Sequence, residues 1–582
     1  MKMLLAKSTV ARVSSAWWLC WAAACALLFS GCTAGSYRRS ADQRNYQIIQ
    51  QTEFQVLGRT NALTIDTPYS HRKPAEILPE ELIEDRVRTN RHVLTVDAAI
   101  ELAMQHSREY QRSKEVLYLA ALRLSNARYA VGGRVTPSSV TTAGWGRDSS
   151  GNQSSEVVTE TGLQISQLFR TGGRLTVNAL NSVMLYYTGQ PELSFSSVSA
   201  SLVQPLLRGF GRNHPDVETL TQRERDMVYA VRTFSLAQDE FALGIANEYF
   251  RLLQQKDNIR NRYTNYLSQV ESTKRLEARK DRERSSDVDQ ARQSELAARN
   301  NYVNTVAGYF NALDQFKIRL GLPLSERLEL DDEALTAVEQ TGLVPATMDP
   351  LAAYRLAVQR QLQMLNFIDQ YEDSQRAVRI AADQLKPGLR LTGGAELVSE
   401  QPTDYTRFDA HKVTTSVGLQ LDLPLDRLPR ANTYREALIA FELQVRTFTG
   451  RLDALKNDVD RGLRTLEQRR LNYENQRNAL ALANRRVESS TMLLAAGRSE
   501  VRDLVEAQNA QINAQIALTA ALVEHQEARL QLMLNIGALR TDSPQFWLKD
   551  HLAGLSLAES AAPSTSAELD QPVIPPDQLF EN

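Results

Sequence analysis

The sequence predicts an α+β membrane protein, internally duplicated, in which confined strand zones alternate with very long helices. Three observations predict this class. The same motifs recur in the same order in two halves of the chain. The strand period of two is confined to short zones. Each half also carries a proline-free stretch of more than a hundred residues, Pro215 to Pro323 and Pro429 to Pro544.

The N-terminus reads as an export signal, residues 1–31. Lys2, Lys7 and Arg12 precede an uncharged apolar run from Val13 to Gly31, the layout of a signal peptide. The run is also about long enough to span a bilayer, so a permanent anchor is the competing reading. Leu28-Phe29-Ser30-Gly31-Cys32 resembles a bacterial lipobox, with small residues before a cysteine; Phe29 departs from the usual leucine. The resemblance implies lipid attachment at Cys32. Residues 32–91 are polar without a long period and read as an extended leader.

Internal repeats come next. Ala99, Leu102 and Ala103 match Ala353, Leu356 and Ala357 at an offset of 254. Each copy then runs as a helix to a proline, Pro137 or Pro387, and turns to alternation. Each strand zone closes on a similar motif, at Pro205 and at Pro424. Asp287-Val288 matches Asp503-Leu504, and Gly321 matches Gly537, both at an offset of 216. Repeat 1 is therefore 92–323, with helices 95–133, strands 137–207, a long helix 216–280 and a returning helix 286–320. Repeat 2 is 324–540, with helices 349–385, strands 388–424, a long helix 430–496 and a returning helix 500–536. Residues 541–582 read as a disordered tail.

The two strand zones differ. Pro137 to Pro205 spans 68 positions and Pro387 to Pro424 spans 37. The difference is enough for one extra hairpin in repeat 1. Four strands are predicted there, near 140–147, 156–169, 174–187 and 193–207, separated by Gly-rich turns. The pattern leaves open whether the extra hairpin joins a membrane wall or projects from it.

In the long helices, Ile245, Tyr249, Leu252, Lys256, Ile259, Tyr263, Tyr266 and Val270 recur at alternating spacings of four and three, as do Val445, Phe448, Leu452, Leu455 and Val459. That is a heptad seam with one lysine exception, the sign of coiled-coil packing. The returning helices are half as long. They pair with one half of each long helix, leaving the other half to the helices before the strands.

Composition limits what else the chain does. Lys and Arg total 67 against 69 Asp and Glu, which gives no electrostatic case for nucleic acid. All three cysteines precede residue 33, so a disulfide scaffold and Cys-based zinc sites are excluded from the body. Gly209-Phe210-Gly211 lacks the third glycine of a dinucleotide loop, and no nucleophile-elbow, P-loop or zinc-protease motif occurs. No cofactor and no enzymatic activity are expected.

The duplicated order of short helix, strands, long helix and returning helix resembles that of TolC-type outer-membrane efflux proteins, including the lipoprotein members. The resemblance covers residues 94–540. It is carried by Gln204-Pro205-Leu206-Leu207, by the Asp-Val and Asp-Leu motifs, and by the stretch from Gly497 through Ser499, Arg502, Asp503 and Leu504 to Gln508. The first-copy tip, with Arg284, Asp287 and Val288, lacks the glycine. The resemblance implies a homotrimer with a β-barrel in the outer membrane of a Gram-negative-type bacterium and a helical tunnel in the periplasm. It also implies passive export by efflux or type I secretion, with a periplasmic adaptor and an inner-membrane pump as partners. At the tips, Asp287 and Asp503 either cap their helices or form a carboxylate ring at the aperture. A structural coiled-coil lipoprotein without channel activity is the other reading of the rods.

Overall fold

The computed structural model describes residues 34–551 apart from 61, 148–152, 187–192, 279–283, 344–347, 401–405 and 497. Cys32 and Gly497 thus lie outside the described residues. The elements are, in order, α1 (Ala34–Leu57), α2 (Pro79–Asp85), β1 (Arg91–Leu94), α3 (Val96–His106), α4 (Arg108–Val131), β2 (Arg134–Arg147), β3 (Gln153–Leu168), β4 (Arg174–Tyr186), β5 (Leu193–Pro205), α5 (Pro215–Glu277), α6 (Ser285–Leu320), β6 (Arg327–Leu330), α7 (Glu333–Thr341), α8 (Pro350–Arg360), α9 (Leu362–Asp383), β7 (Gly388–Val398), β8 (Thr414–Asp422), α10 (Leu428–Ala495) and α11 (Val501–Asn535). They fall into two units. One holds residues up to 65, 114–231 and 372–443; the other holds 66–113, 232–371 and the chain from 444.

The first unit is built on one antiparallel sheet, in the order β2-β3-β4-β5-β7-β8. Its strands are staggered. One row of partners runs Val135, Ile165, Val177, Ala200, Ala395 and Thr415. At the end joined to the helices the strands extend beyond that row by one residue at β2, three at β3 and β4, five at β5, and seven at β7 and β8. The drift is six residues over five steps, about one per strand. Equal shear and strand number give a tilt of about 36° in eight-stranded barrels, within the usual range for barrels.

The leader is not extended. Ala34–Leu57 is helical, with Asn45, Ile48, Ile49 and Glu53 buried. Two contacts hold it to α4: Tyr46 packs on Tyr118 with ring centroids 5.5 Å apart, and the Tyr118 hydroxyl donates to Asp42 at 2.6 Å. Its buried stripe is half polar, so hydrophobic periodicity does not reveal it. Farther along the same unit, Arg376 of α9 donates to Glu218 at 2.7 Å, and Arg225 of α5 pairs with Asp373.

The second unit repeats one junction twice. Thr95 caps α3 by accepting from the Ala98 amide at 3.2 Å, and Asp349 caps α8 by accepting from the Ala352 amide at 2.9 Å. Both helices are 11 residues long and break at an extended residue, Ser107 or Gln361. A glycine ends each returning helix in the left-handed region, Gly321 at φ 83° and Gly537 at φ 71°, the conformation glycine adopts at a helix C-terminus. Each lies against the equivalent break: a Cβ on Gly321 would stand 2.2 Å from the His106 carbonyl oxygen, and one on Gly537 2.8 Å from the Arg360 carbonyl carbon.

Two short strands missed by the sequence reading, β1 and β6, pair in parallel here. The fully buried Tyr249 of α5 donates to the Leu94 carbonyl at 2.6 Å and lies 2.9 Å from the Asp331 carbonyl. Lys256, the exception in the heptad seam, donates to the Leu330 carbonyl at 2.9 Å and pairs with Asp332 at 2.8 Å. Beyond Lys256 the buried line leaves the predicted seam. Tyr263 is exposed, while Asn265, Gln269, Thr273 and Leu276 are buried. The start of the tail is also ordered, against expectation: Phe546 and Trp547 are buried, and the Trp547 carbonyl accepts from Gln526 and Arg529 of α11. Residues 552–582 lie outside the described residues.

Gly321→Ala and Gly537→Ala should each lower stability by about 2 kcal/mol or more, from left-handed strain and close contact. Gly308→Ala, in the open interior of α6, should be neutral or stabilise by up to about 1 kcal/mol. Thermal unfolding of the purified protein compares them, and equal effects at all three sites would reject the junction as a shared packing point.

Candidate functional site

Two places carry function-bearing geometry: the sheet of the first unit and the helical-hairpin tips of the second. In an antiparallel sheet directly paired residues share a face, so the register sorts every strand residue. One face collects Val135 and Trp145 of β2, Leu163 and Ile165 of β3, Leu175, Val177 and Val183 of β4, and Val198 and Leu202 of β5. It continues through Leu389, Leu391 and Leu397 of β7 and Val417, Leu419 and Leu421 of β8. These side chains are not packed away: Trp145 is 79% exposed and Val417 83%. The other face carries Arg134, Glu156, Glu160, Arg174, Arg390, Glu396 and Asp422 among Ser, Thr, Asn and Gln. Val140, Val158, Leu168, Leu180, Met184, Phe195, Val203 and Val398 are among its apolar members.

A row of small polar residues crosses the apolar face and bonds within itself. Asn181 donates to the Ser196 hydroxyl at 2.8 Å, and the Ser139 and Thr161 hydroxyls lie 3.4 Å apart. Apolar residues on one face, charge gathered on the other among the described side chains, and strands of nine to sixteen residues are what a wall between hydrocarbon and water requires. Among the described residues the outer strands β2 and β8 each have one partner, so each presents an edge of amides and carbonyls without a strand beside it. Among the described residues no helix is long and apolar enough to cross a membrane.

The tips of the two repeats come together. Leu276, Val288 and Ala291 of the first pack with Leu494, Val501 and Val505 of the second. Arg284, at the N-cap of α6, lies 4.0 Å from Glu500, at the N-cap of α11, and both are exposed. Glu500 was missed by the sequence reading, although Glu500-x-x-Asp503 has the spacing of a reciprocal cap. The Asp503 carboxylate accepts from the Ser499 hydroxyl at 2.9 Å and from the Glu500 amide at 3.4 Å. Those two bonds hold its pKa below the ordinary carboxylate value. Asp503 is therefore a capping residue. Asp287 differs: its carboxylate accepts from the Ser286 hydroxyl at 3.4 Å, and α6 has no side-chain cap bond. Arg502 is exposed, Leu504 half-buried, and Gly497 lies outside the described residues. Among the described residues no group of three or more His, Cys, Asp or Glu could hold a metal ion.

No family model matches the sequence, and no curated protein does. Solved structures do. The outer membrane channel CmeC of Campylobacter jejuni aligns with a TM-score of 0.56 at 13% identity, covering 76% of this chain and 85% of that one. The outer membrane protein VceC of Vibrio cholerae aligns at 0.55 and 13%, covering 76% and 96%. The open-state MtrE outer membrane channel of Neisseria gonorrhoeae aligns at 0.55 and 12%, covering 76% and 88%. The chain thus has the fold of the TolC-type outer-membrane channels. These neighbours are membrane proteins and channels, not enzymes.

Leu419→Lys and Gln420→Lys change adjacent residues of β8 on opposite faces. A lysine at depth on a lipid face costs about 2–4 kcal/mol, so the first should sharply lower the amount of folded protein in membranes. The second should accumulate normally. Heat-modifiable mobility on gels measures both, and equal accumulation would refute the face assignment.

Proposed function

We propose that the protein is a passive exit duct of the outer membrane, serving an efflux or type I secretion system. Three copies close their sheets into one barrel, and the long helices pack as coiled coils into a tunnel through the periplasm. An adaptor protein and an inner-membrane pump supply direction and energy. The observation that carries this reading is the sheet itself, apolar on one exposed face, charged on the other, with an edge strand on each side that is paired on one side only. A structural periplasmic lipoprotein has no use for such a sheet. Because β2 and β8 run in opposite directions, β8 of one copy meets β2 of the next as an antiparallel pair.

In this reading the paired tips form the periplasmic aperture, with Arg284, Asp287, Val288, Gly497, Ser499, Arg502, Asp503 and Leu504 around it. The Asp503 carboxylate is engaged in capping, so Asp287 is the better candidate for a carboxylate ring that favours cations. Purified protein should give discrete conductance steps in planar bilayers. Asp287→Asn should lower cation preference without changing assembly, whereas Asp503→Asn should loosen the start of α11. A protein that inserts but never conducts would contradict the duct.

Cys32 is proposed as the site of lipid attachment. Radiolabelled palmitate should mark the wild type and not Cys32→Ser, and label surviving that substitution would reject the site. Each buried methylene of an acyl chain adds about 0.8 kcal/mol of membrane affinity.

A further inference from the structure

The two repeats do not contribute equally to the sheet. Repeat 2 supplies β7 and β8, each joined directly to a helix. In repeat 1 only β2 and β5 join helices, and β3–β4 is inserted between them. Were this hairpin a projection from the wall, β2 would pair with β5. Instead β3 takes up β2 over fourteen partners, and β4 takes up β5 over eleven.

Two further observations place the hairpin in the wall. Its stagger fits the drift of the sheet: three residues at β3 and β4, between one at β2 and five at β5. Its turn is also clamped at the end where the sheet meets the helices. The Thr171 carbonyl accepts from the Gly211 amide at 2.9 Å and from the Gln204 side chain at 3.1 Å, and Arg174 pairs with Asp216 at 2.8 Å. Gly172, at φ 81°, lies so close to the elbow that a Cβ would stand 2.8 Å from the Gly209 carbonyl oxygen. That turn has no room for a side chain.

We propose that β3–β4 is a full member of the membrane wall, so that the assembled barrel has eighteen strands and a mouth wide enough for bulky hydrophilic solutes. The proposal rests on the trimeric duct proposed above. At a strand spacing of about 4.8 Å and a tilt of about 36°, eighteen strands give a backbone diameter of about 34 Å. Twelve strands, the number without the insertion, give about 23 Å by the same geometry. Side chains take up about 5 Å on each side, leaving openings of about 24 and 13 Å. The strands of the hairpin place Glu160, Gln164, Ser166, Arg174, Thr176 and Asn178 on the inner face, interrupted by Val158 and Leu180, a mainly polar lining suited to hydrated cargo. The solute class is therefore hydrophilic molecules of about 10 Å radius, which the narrower barrel would exclude.

The test uses the full-length trimer with single cysteines on neighbouring residues of β3, the body being otherwise free of cysteine. A charged, water-soluble methanethiosulfonate reagent should lower the conductance of Gln164→Cys in up to three steps and leave Leu163→Cys unaltered. Polyethylene glycol of about 10 Å radius, added on the barrel side, should enter and reduce the current. A hairpin outside the wall would let both cysteines react alike without changing conductance, and that overturns the proposal while the duct stands. A variant with residues 148–192 replaced by Asn-Gly should exclude the same polymer; polymer entry unaltered by the deletion also overturns it. If that variant does not fold, the cysteine pair still decides. Absence of any conductance in the wild type would instead reject the duct itself.

Discussion

Hydrocarbon offers no partner to a backbone amide, and on the proposed reading this constraint governs the design of the chain. A sheet with one apolar face and two free edges is unstable in lipid and prone to aggregate in water. Among the described residues every strand of the first unit has a neighbour on both sides except β2 and β8. The remaining hydrogen bonds must come from elsewhere, and the drift of about one residue per strand tilts the sheet as a closed barrel requires. In the proposed duct, assembly and membrane insertion answer the same demand. The even number of strands also matters, because it leaves the two free edges antiparallel.

Duplication supplies the parts, but the two repeats are used differently. The junction of cap, eleven-residue helix, break and glycine is preserved at Thr95 and Asp349, Ser107 and Gln361, and Gly321 and Gly537. These positions share backbone geometry, so their chemistry recurs even where the residue changes. The sheet is where the repeats diverge, through the inserted hairpin. At the tips they are joined by an apolar cluster drawing three residues from each repeat, while the Arg284–Glu500 pair above it is solvent-exposed and contributes little.

Much of this was legible in the sequence. Prolines and strand alternation marked the sheet, and the 31-residue excess between Pro137 and Pro205 announced the hairpin. Its place in the sheet was not legible, because alternation fixes faces but not neighbours. Three other features were hidden for one reason: polar groups supply much of what holds them in place. The stripe of α1 includes Asn45 and Glu53. The lower part of α5 buries Asn265 and Gln269, which bond to Asn509 and Gln508 of α11 at 3.4 and 3.2 Å. The segment at 541–551 is held by carbonyls accepting from Gln526 and Arg529. A hydrophobic pattern registers none of these. At the tips, the spacing showed that both aspartates begin helices but not which one caps. That depended on Ser499 and Glu500, which the first tip does not match.

The central claim is that copies of this chain complete one another's sheets through β8 and β2. The direct measurement is cross-linking of full-length protein in membranes, with Thr136→Cys on β2 and Gln420→Cys on β8 in the same chain. Both positions lie on the charged face near the helix-joined end, and a short bis-maleimide tolerates a register offset of one pair. The account predicts covalent dimers and trimers and no larger species. Monomers alone, or a ladder extending past three copies, would contradict it.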